Sequence, residues 1–140
     1  MISPMVSVWF TAGALGGLLN AVFVWGTGTL GLNQAMGLAI KPEWSPGFLY
    51  GKMVWGGIWG CLLYFLGKFG EITLVCALLV SLAPTAVQLF YVFPFMAKKG
   101  MLGKDLGRWT WLYVIAANFV WAAGAYAWLR IQHPARFINF

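Results

Sequence analysis

The sequence predicts an all-α integral membrane protein: a bundle of four transmembrane helices with an interfacial or re-entrant segment after helix one. Three observations carry that expectation. Of 140 residues, 61% are hydrophobic and 9% charged, where a soluble domain carries about a quarter charged. The three acidic residues, Glu43, Glu71 and Asp105, all stand between apolar runs. The nine Lys and Arg sit at the edges of those runs, and nine Trp and five Tyr fit the same picture, since both rings favour the membrane–water interface.

The first apolar run extends from about Val6 to Gly26. Met1 to Phe10 contain no Lys or Arg, so there is no charged region of the signal-peptide kind. The run is also long enough to span a hydrocarbon core of ~30 Å. It reads as a retained helix. The stretch from Thr27 to Gly47 follows. Its apolar, glycine-rich first part, Thr27 to Ile40, is too short to span, and Lys41-Pro42-Glu43-Trp44-Ser45-Pro46 makes a rigid turn with an aromatic anchor. An interfacial or re-entrant path is the expectation, with a simple loop as the alternative.

The second helix is expected over about Phe48 to Leu66 and the third over about Ile72 to Ala97. The tight turn Gly67-Lys68-Phe69-Gly70-Glu71 makes them an antiparallel hairpin. Pro84 removes a backbone donor inside helix three and should kink it. Ser81 and Thr85 are close enough to satisfy the freed carbonyl. A short basic loop, Lys98 to Gly107, leads to helix four, about Arg108 to Arg130. Residues 131–140 form a tail at the interface or in water, within a single domain of residues 1–140. Helices are required because long apolar runs must satisfy their backbone internally in lipid.

The formal charge is +6, but the cations edge apolar segments, which implies anionic headgroups and not nucleic acid. Lys41, Lys52, Lys98, Lys99, Lys104 and Arg108 fall on the side of the first and third connections, against Lys68, Arg130 and Arg136 on the other. In a bacterial inner membrane the positive-inside rule then places both termini on the outer, periplasmic side. Cys61 and Cys76 have no metal-motif spacing and read as small hydrophobes in helices.

Glycine supplies the packing signal. Gly13 with Gly17, and Gly56 with Gly60, form GxxxG pairs that let backbones approach closely. They are the expected helix interface, within one chain or between subunits. Asn20, Gln88 and Asn118 fall at similar depth in three helices, so an intramembrane polar layer opposite a glycine surface is expected. Such a layer either joins helices by hydrogen bonds or holds a small polar ligand, water or ion. Trp44, Trp55 and Trp59 are candidate lipid or ligand contacts, and Lys52 should snorkel toward a lipid phosphate. Lys98, Lys99, Lys104 and Arg108 form a basic loop suited to topology control or an anionic headgroup.

No carboxylate stands inside an apolar run, which argues against a carrier coupled through a buried acid. The sole histidine, His133, is remote from any nucleophile or metal-ligand set, and no nucleotide loop is present. The reading is therefore non-enzymatic and metal-free, with no cofactor other than bound lipid.

The segment from Lys41 through Pro42, Glu43, Trp44, Ser45 and Pro46 to Trp55 resembles the first loop and second helix of the tryptophan-rich sensory or translocator protein family. That resemblance implies porphyrin or sterol-like ligands near Trp44; Gly47 replaces a proline usual in that family. More broadly, Gly16-Gly17-Leu18-Leu19-Asn20, Val54-Trp55-Gly56-Gly57, Ser81-Leu82-Ala83-Pro84-Thr85 and Asn118-Phe119-Val120-Trp121 are similar in order to small uncharacterised bacterial four-helix membrane proteins. The leading expectation is a non-catalytic accessory or structural subunit of a membrane complex. Its partners would be membrane lipids together with other membrane-protein subunits or further copies of itself. The alternatives are a homo-oligomeric channel or uncoupled transporter, and a porphyrin- or sterol-type binder.

Overall fold

The computed structural model describes residues 4–70 and 72–132. Glu71, His133, Pro134 and Arg136, with the remainder of the expected tail beyond Gln132, lie outside the described residues. Among the described residues there are six α-helices: α1 (Pro4–Thr29), α2 (Leu32–Ala35), α3 (Pro46–Gly67), α4 (Leu74–Val80), α5 (Leu82–Val87) and α6 (Thr110–Gln132). A π-helical stretch, Gln88–Met96, continues α5, and 3-10 turns at Met101–Leu106 precede α6. No strand occurs among the described residues.

Among the described residues, three helical stretches are long and apolar enough to cross a membrane: Val6–Thr29, Leu74–Met96 and Thr110–Gln132. Helix α3 is nearly as long, 22 residues, or about 33 Å at 1.5 Å per residue. Its sequence is less apolar because six glycines and Lys52 replace large hydrophobes. The outward faces carry exposed Val22, Val54, Ile58, Leu79, Phe90 and Phe119, an arrangement suited to lipid rather than water.

Local chemistry sets the helix ends. Ser45 Oγ accepts from the Phe48 amide at 3.1 Å, so α3 begins at Pro46, a residue favoured in the first turn. Thr73 Oγ1 accepts from the Cys76 amide at 3.1 Å and caps α4. Helix α1 runs three residues beyond its expected end because its last carbonyls are still used, with Leu30 N donating to Gly26 O at 2.9 Å. The chain then breaks at Gly31, where φ is +81°, a conformation that costs other residues strain.

The expected third helix is not continuous. Pro84 cannot donate to the carbonyl of Val80, and the helix breaks at Ser81. Thr85 Oγ1 donates to Ser81 O at 2.9 Å and Ser81 Oγ to Leu78 O at 2.6 Å, so both hydroxyls bond to carbonyls beside the break, and neither reaches the Val80 carbonyl that Pro84 frees. Further along, Pro94 removes a second donor within the π-helical stretch.

The long elements run alternately up and down and form an arc in the order α3, α1, α6, then Leu74–Met96. Helix α1 packs against both α3 and α6, and α6 packs against α4 and α5. Helix α3 and the Leu74–Met96 stretch follow one another in the chain as the two arms of the expected hairpin, yet they pack mainly on α1 and α6 respectively rather than on each other. The glycine face of α3 is committed to α1, which leaves the two flanking helices splayed.

At the turn end, Trp9, Leu63, Ile72, Ala77, Trp121, Ala122 and Leu129 fill the core. At the other end, residues 30–45 fold back as a cap. Buried Leu38 packs with Val24, Tyr113 and Ala117, and buried Asn33 donates to Ile40 O at 2.8 Å. Ala39 N donates to Leu106 O at 2.7 Å, tying the first connection to the third.

Candidate functional site

The central helix α1 positions the site by being small on two faces. A Cβ added at Gly13 would lie 2.8 Å from Gly60 Cα, and one at Gly60 would lie 3.0 Å from Gly13 Cα. Gly17 meets the backbone of Lys52 and Met53, and Gly56 meets Gly13 and Gly17. The four glycines of the two GxxxG pairs therefore face one another within one chain. On the other side, Gly16 sits against Trp121, whose Nε1 donates to Gly13 O at 3.0 Å. This contact fixes α6 against α1.

The close approach brings polar groups to one depth. Asn20 Nδ2 donates to Ala117 O at 2.8 Å and approaches Asn118 Oδ1 at 3.4 Å. Asn118 Nδ2 donates to Thr85 Oγ1 at 2.9 Å. A relay thus links α1, α6 and α5 through Asn20, Asn118, Thr85 and the carbonyl of Ser81. Thr85 belongs to this layer, although the sequence reading placed it only beside the Pro84 kink. Gln88 stands at the same level, half-buried, and its amide makes no hydrogen bond among the described residues.

Two cavities open from this layer. One, of about 450 Å³, is a lateral cleft between α3 and the Leu74–Met96 helix. Gly51, Trp55 and Trp59 form one wall, and Pro84, Val87 and Tyr91 the other. The second, of about 370 Å³, lies under the cap beside Ile40, Lys41, Phe93 and Tyr113. Asn20, Phe48, Lys52, Gln88 and Asn118 line both, so the cavities meet at the polar layer. The lateral cleft stops at Trp59 and Trp121, where the filled core begins.

Lys52 is half-buried in the wall of both cavities, with Nζ 5.9 Å from the Phe48 ring centroid. No carboxylate pairs with it among the described residues. Lys41 is the other cation lining these spaces, and no acidic residue lines either. Asn20 is only 5% exposed, and its Oδ1 has no hydrogen-bond partner. A buried acceptor of this kind costs free energy until a donor reaches it.

The remaining expected residues lie elsewhere. Trp55 and Trp59 line the lateral cleft, whereas Trp44 lines neither cavity and stacks edge-on with Trp25, ring centroids 5.3 Å apart. Lys98, Lys99, Lys104 and Arg108 are all exposed around the third connection, with Lys98 at φ +56°. Cys61 and Cys76 are both free thiols. No group of three or more metal-ligating residues occurs among the described residues.

Tyr113 was missed by the sequence reading. Its hydroxyl lies 2.8 Å from Thr27 Oγ1 and accepts from Asn33 Nδ2 at 3.2 Å, fastening the cap over the upper cavity. The available signal was Asn33 itself, an amide in a glycine-flanked turn of an otherwise apolar stretch. Compared with known proteins, the chain matches no family model, no curated protein and no solved structure.

Proposed function

We propose that this is a non-catalytic integral membrane protein of four spans that holds a lipid or other hydrophobic ligand in its lateral cleft. Helix α3 is the fourth span in this reading, its glycine face covered by α1 and its length matched to the bilayer. The observation that carries the reading is the cleft: an apolar, tryptophan-walled space ending on a polar layer with an unmet acceptor and a half-buried lysine. Concave apolar sites with a few convergent polar groups are the usual form of a ligand pocket. The protein would act as a subunit or binding module of a membrane assembly, presenting the ligand to its partner.

The six cations at the cap end support an orientation with that end inside and both termini outside, by the positive-inside rule. A pore through one subunit is less well supported, because packed Trp9, Leu63 and Trp121 occupy the turn end. A porphyrin or sterol site centred on Trp44 is also less well supported, since Trp44 lines neither cavity.

The test is native mass spectrometry of the protein extracted gently with surrounding lipid, wild type beside Gly51→Leu. Gly51 lines the cleft, and a Cβ there meets nothing within 4 Å. A larger side chain can therefore start from Gly51 toward the cleft with no clash at its Cβ. The wild type should retain bound lipid that Gly51→Leu loses. Equal retention would refute the reading.

A further inference from the structure

The two cavities meet at groups that specify more than apolarity. We propose that their junction binds the headgroup of a membrane lipid that is anionic and carries a free hydroxyl, with an acyl chain in the lateral cleft. This rests on the ligand-holding reading above and names the chemistry of the ligand. Lys41 and Lys52 are the charged residues lining the two spaces, and no acidic residue lines either. The field at the junction is therefore positive and selects an anion. Gln88 adds unpartnered amide donors for its oxygens.

The hydroxyl is inferred from Asn20. Its amide nitrogen is committed to Ala117 O, which leaves Oδ1 buried, acceptor-only and empty-handed. The Asn118 amide nitrogen is spent on Thr85 and cannot serve it. The Lys52 ammonium is turned over the Phe48 ring. A ligand donor beside the anion completes the site. An ionised fatty acid supplies charge but no donor, whereas a phosphodiester lipid with a headgroup alcohol supplies both. The cleft walls, Trp55, Trp59, Tyr91 and Val92, suit a chain entering from the bilayer side.

The experiment reconstitutes the full chain in nanodiscs holding equal amounts of phosphatidylglycerol, phosphatidylmethanol and phosphatidylcholine with identical acyl chains. Native mass spectrometry then reads which lipids stay bound. Phosphatidylglycerol should exceed phosphatidylcholine by about fivefold for each lysine engaged. It should exceed phosphatidylmethanol, which has the charge without the hydroxyl, by about threefold. Lys52→Met should erase most of the charge preference while lipid still occupies the cleft. Lys41→Gln, at an exposed position that does not threaten folding, should lower it in part.

Equal retention of phosphatidylglycerol and phosphatidylmethanol would overturn the assignment to Asn20. Equal retention of all three would overturn the headgroup proposal and leave the cleft reading intact. A charge preference unchanged in both lysine variants would place the anion at the basic loop and overturn the proposal. Retention of no lipid by the wild type would remove the cleft reading as well.

Discussion

Two alanine substitutions on one helix should change stability in opposite directions. At Gly56, an added Cβ would stand 3.0 Å from Gly17 Cα and 3.1 Å from Trp121 Nε1, and closer still to the carbonyl of Gly13. Carbon contacts are most favourable at about 3.5–4.0 Å, so α1 and α3 must part by several tenths of an ångström. Overpacking of this kind costs about 1–3 kcal/mol. The shift also strains the Trp121–Gly13 hydrogen bond, an interhelical contact of about 0.6 kcal/mol. Alanine returns up to about 1 kcal/mol of helix propensity, which leaves Gly56→Ala destabilised by about 1–2 kcal/mol. At Gly51 a Cβ meets nothing within 4 Å, so Gly51→Ala keeps only the gain, about 0.5–1 kcal/mol. Reversible unfolding in mixed micelles, followed by far-ultraviolet circular dichroism, reads the two midpoints. Gly56→Ala at or above the stability of Gly51→Ala would refute the close crossing of α1 and α3.

Tyr113→Phe should loosen the cap, because Thr27 and buried Asn33 both lose the phenol oxygen. A loss of about 1–3 kcal/mol is expected, with faster amide hydrogen exchange at Ala39, whose N–H reaches Leu106 O. Asn118→Leu removes its bonds to Asn20 and Thr85, each worth about 0.6 kcal/mol. It should fold with a stability loss near 1 kcal/mol in the same unfolding assay. Pro84→Ala restores the donor that Val80 lacks, so exchange protection across the break at Ser81 should rise. The straightened helix should also narrow the cleft and lower lipid retention in native mass spectrometry.

Three long apolar helices were legible because uninterrupted apolar runs leave few alternatives to helix in lipid. The glycine pairs were legible as contact surfaces, since GxxxG implies close approach whatever the partner. Their partner was not legible: the motif says that Gly13 and Gly17 meet a backbone, not that the backbone is α3. Depth alone aligned Asn20 with Asn118, because side chains two-thirds along one span and near the centre of another must fall near one plane. Depth could not assign hydrogen bonds, so Thr85 was left out and Gln88 was joined to a network it only borders. The cavities themselves were hidden. They arise from the splay of α3 and the Leu74–Met96 helix, which follows from the glycine face of α3 packing on α1. Lys52 illustrates the consequence. One turn inside a helix it reads as an interfacial snorkel, yet the splay turns it into the wall of both cavities.

The most direct measurement is an experimental density map of the protein in a lipid nanodisc. The account predicts an elongated lipid feature between Trp55 and Val87, ending in a headgroup beside Lys52 and Asn20. A map in which α3 closes against the Leu74–Met96 helix, with Gln88 and Lys52 bonded to protein and no space between them, would contradict it.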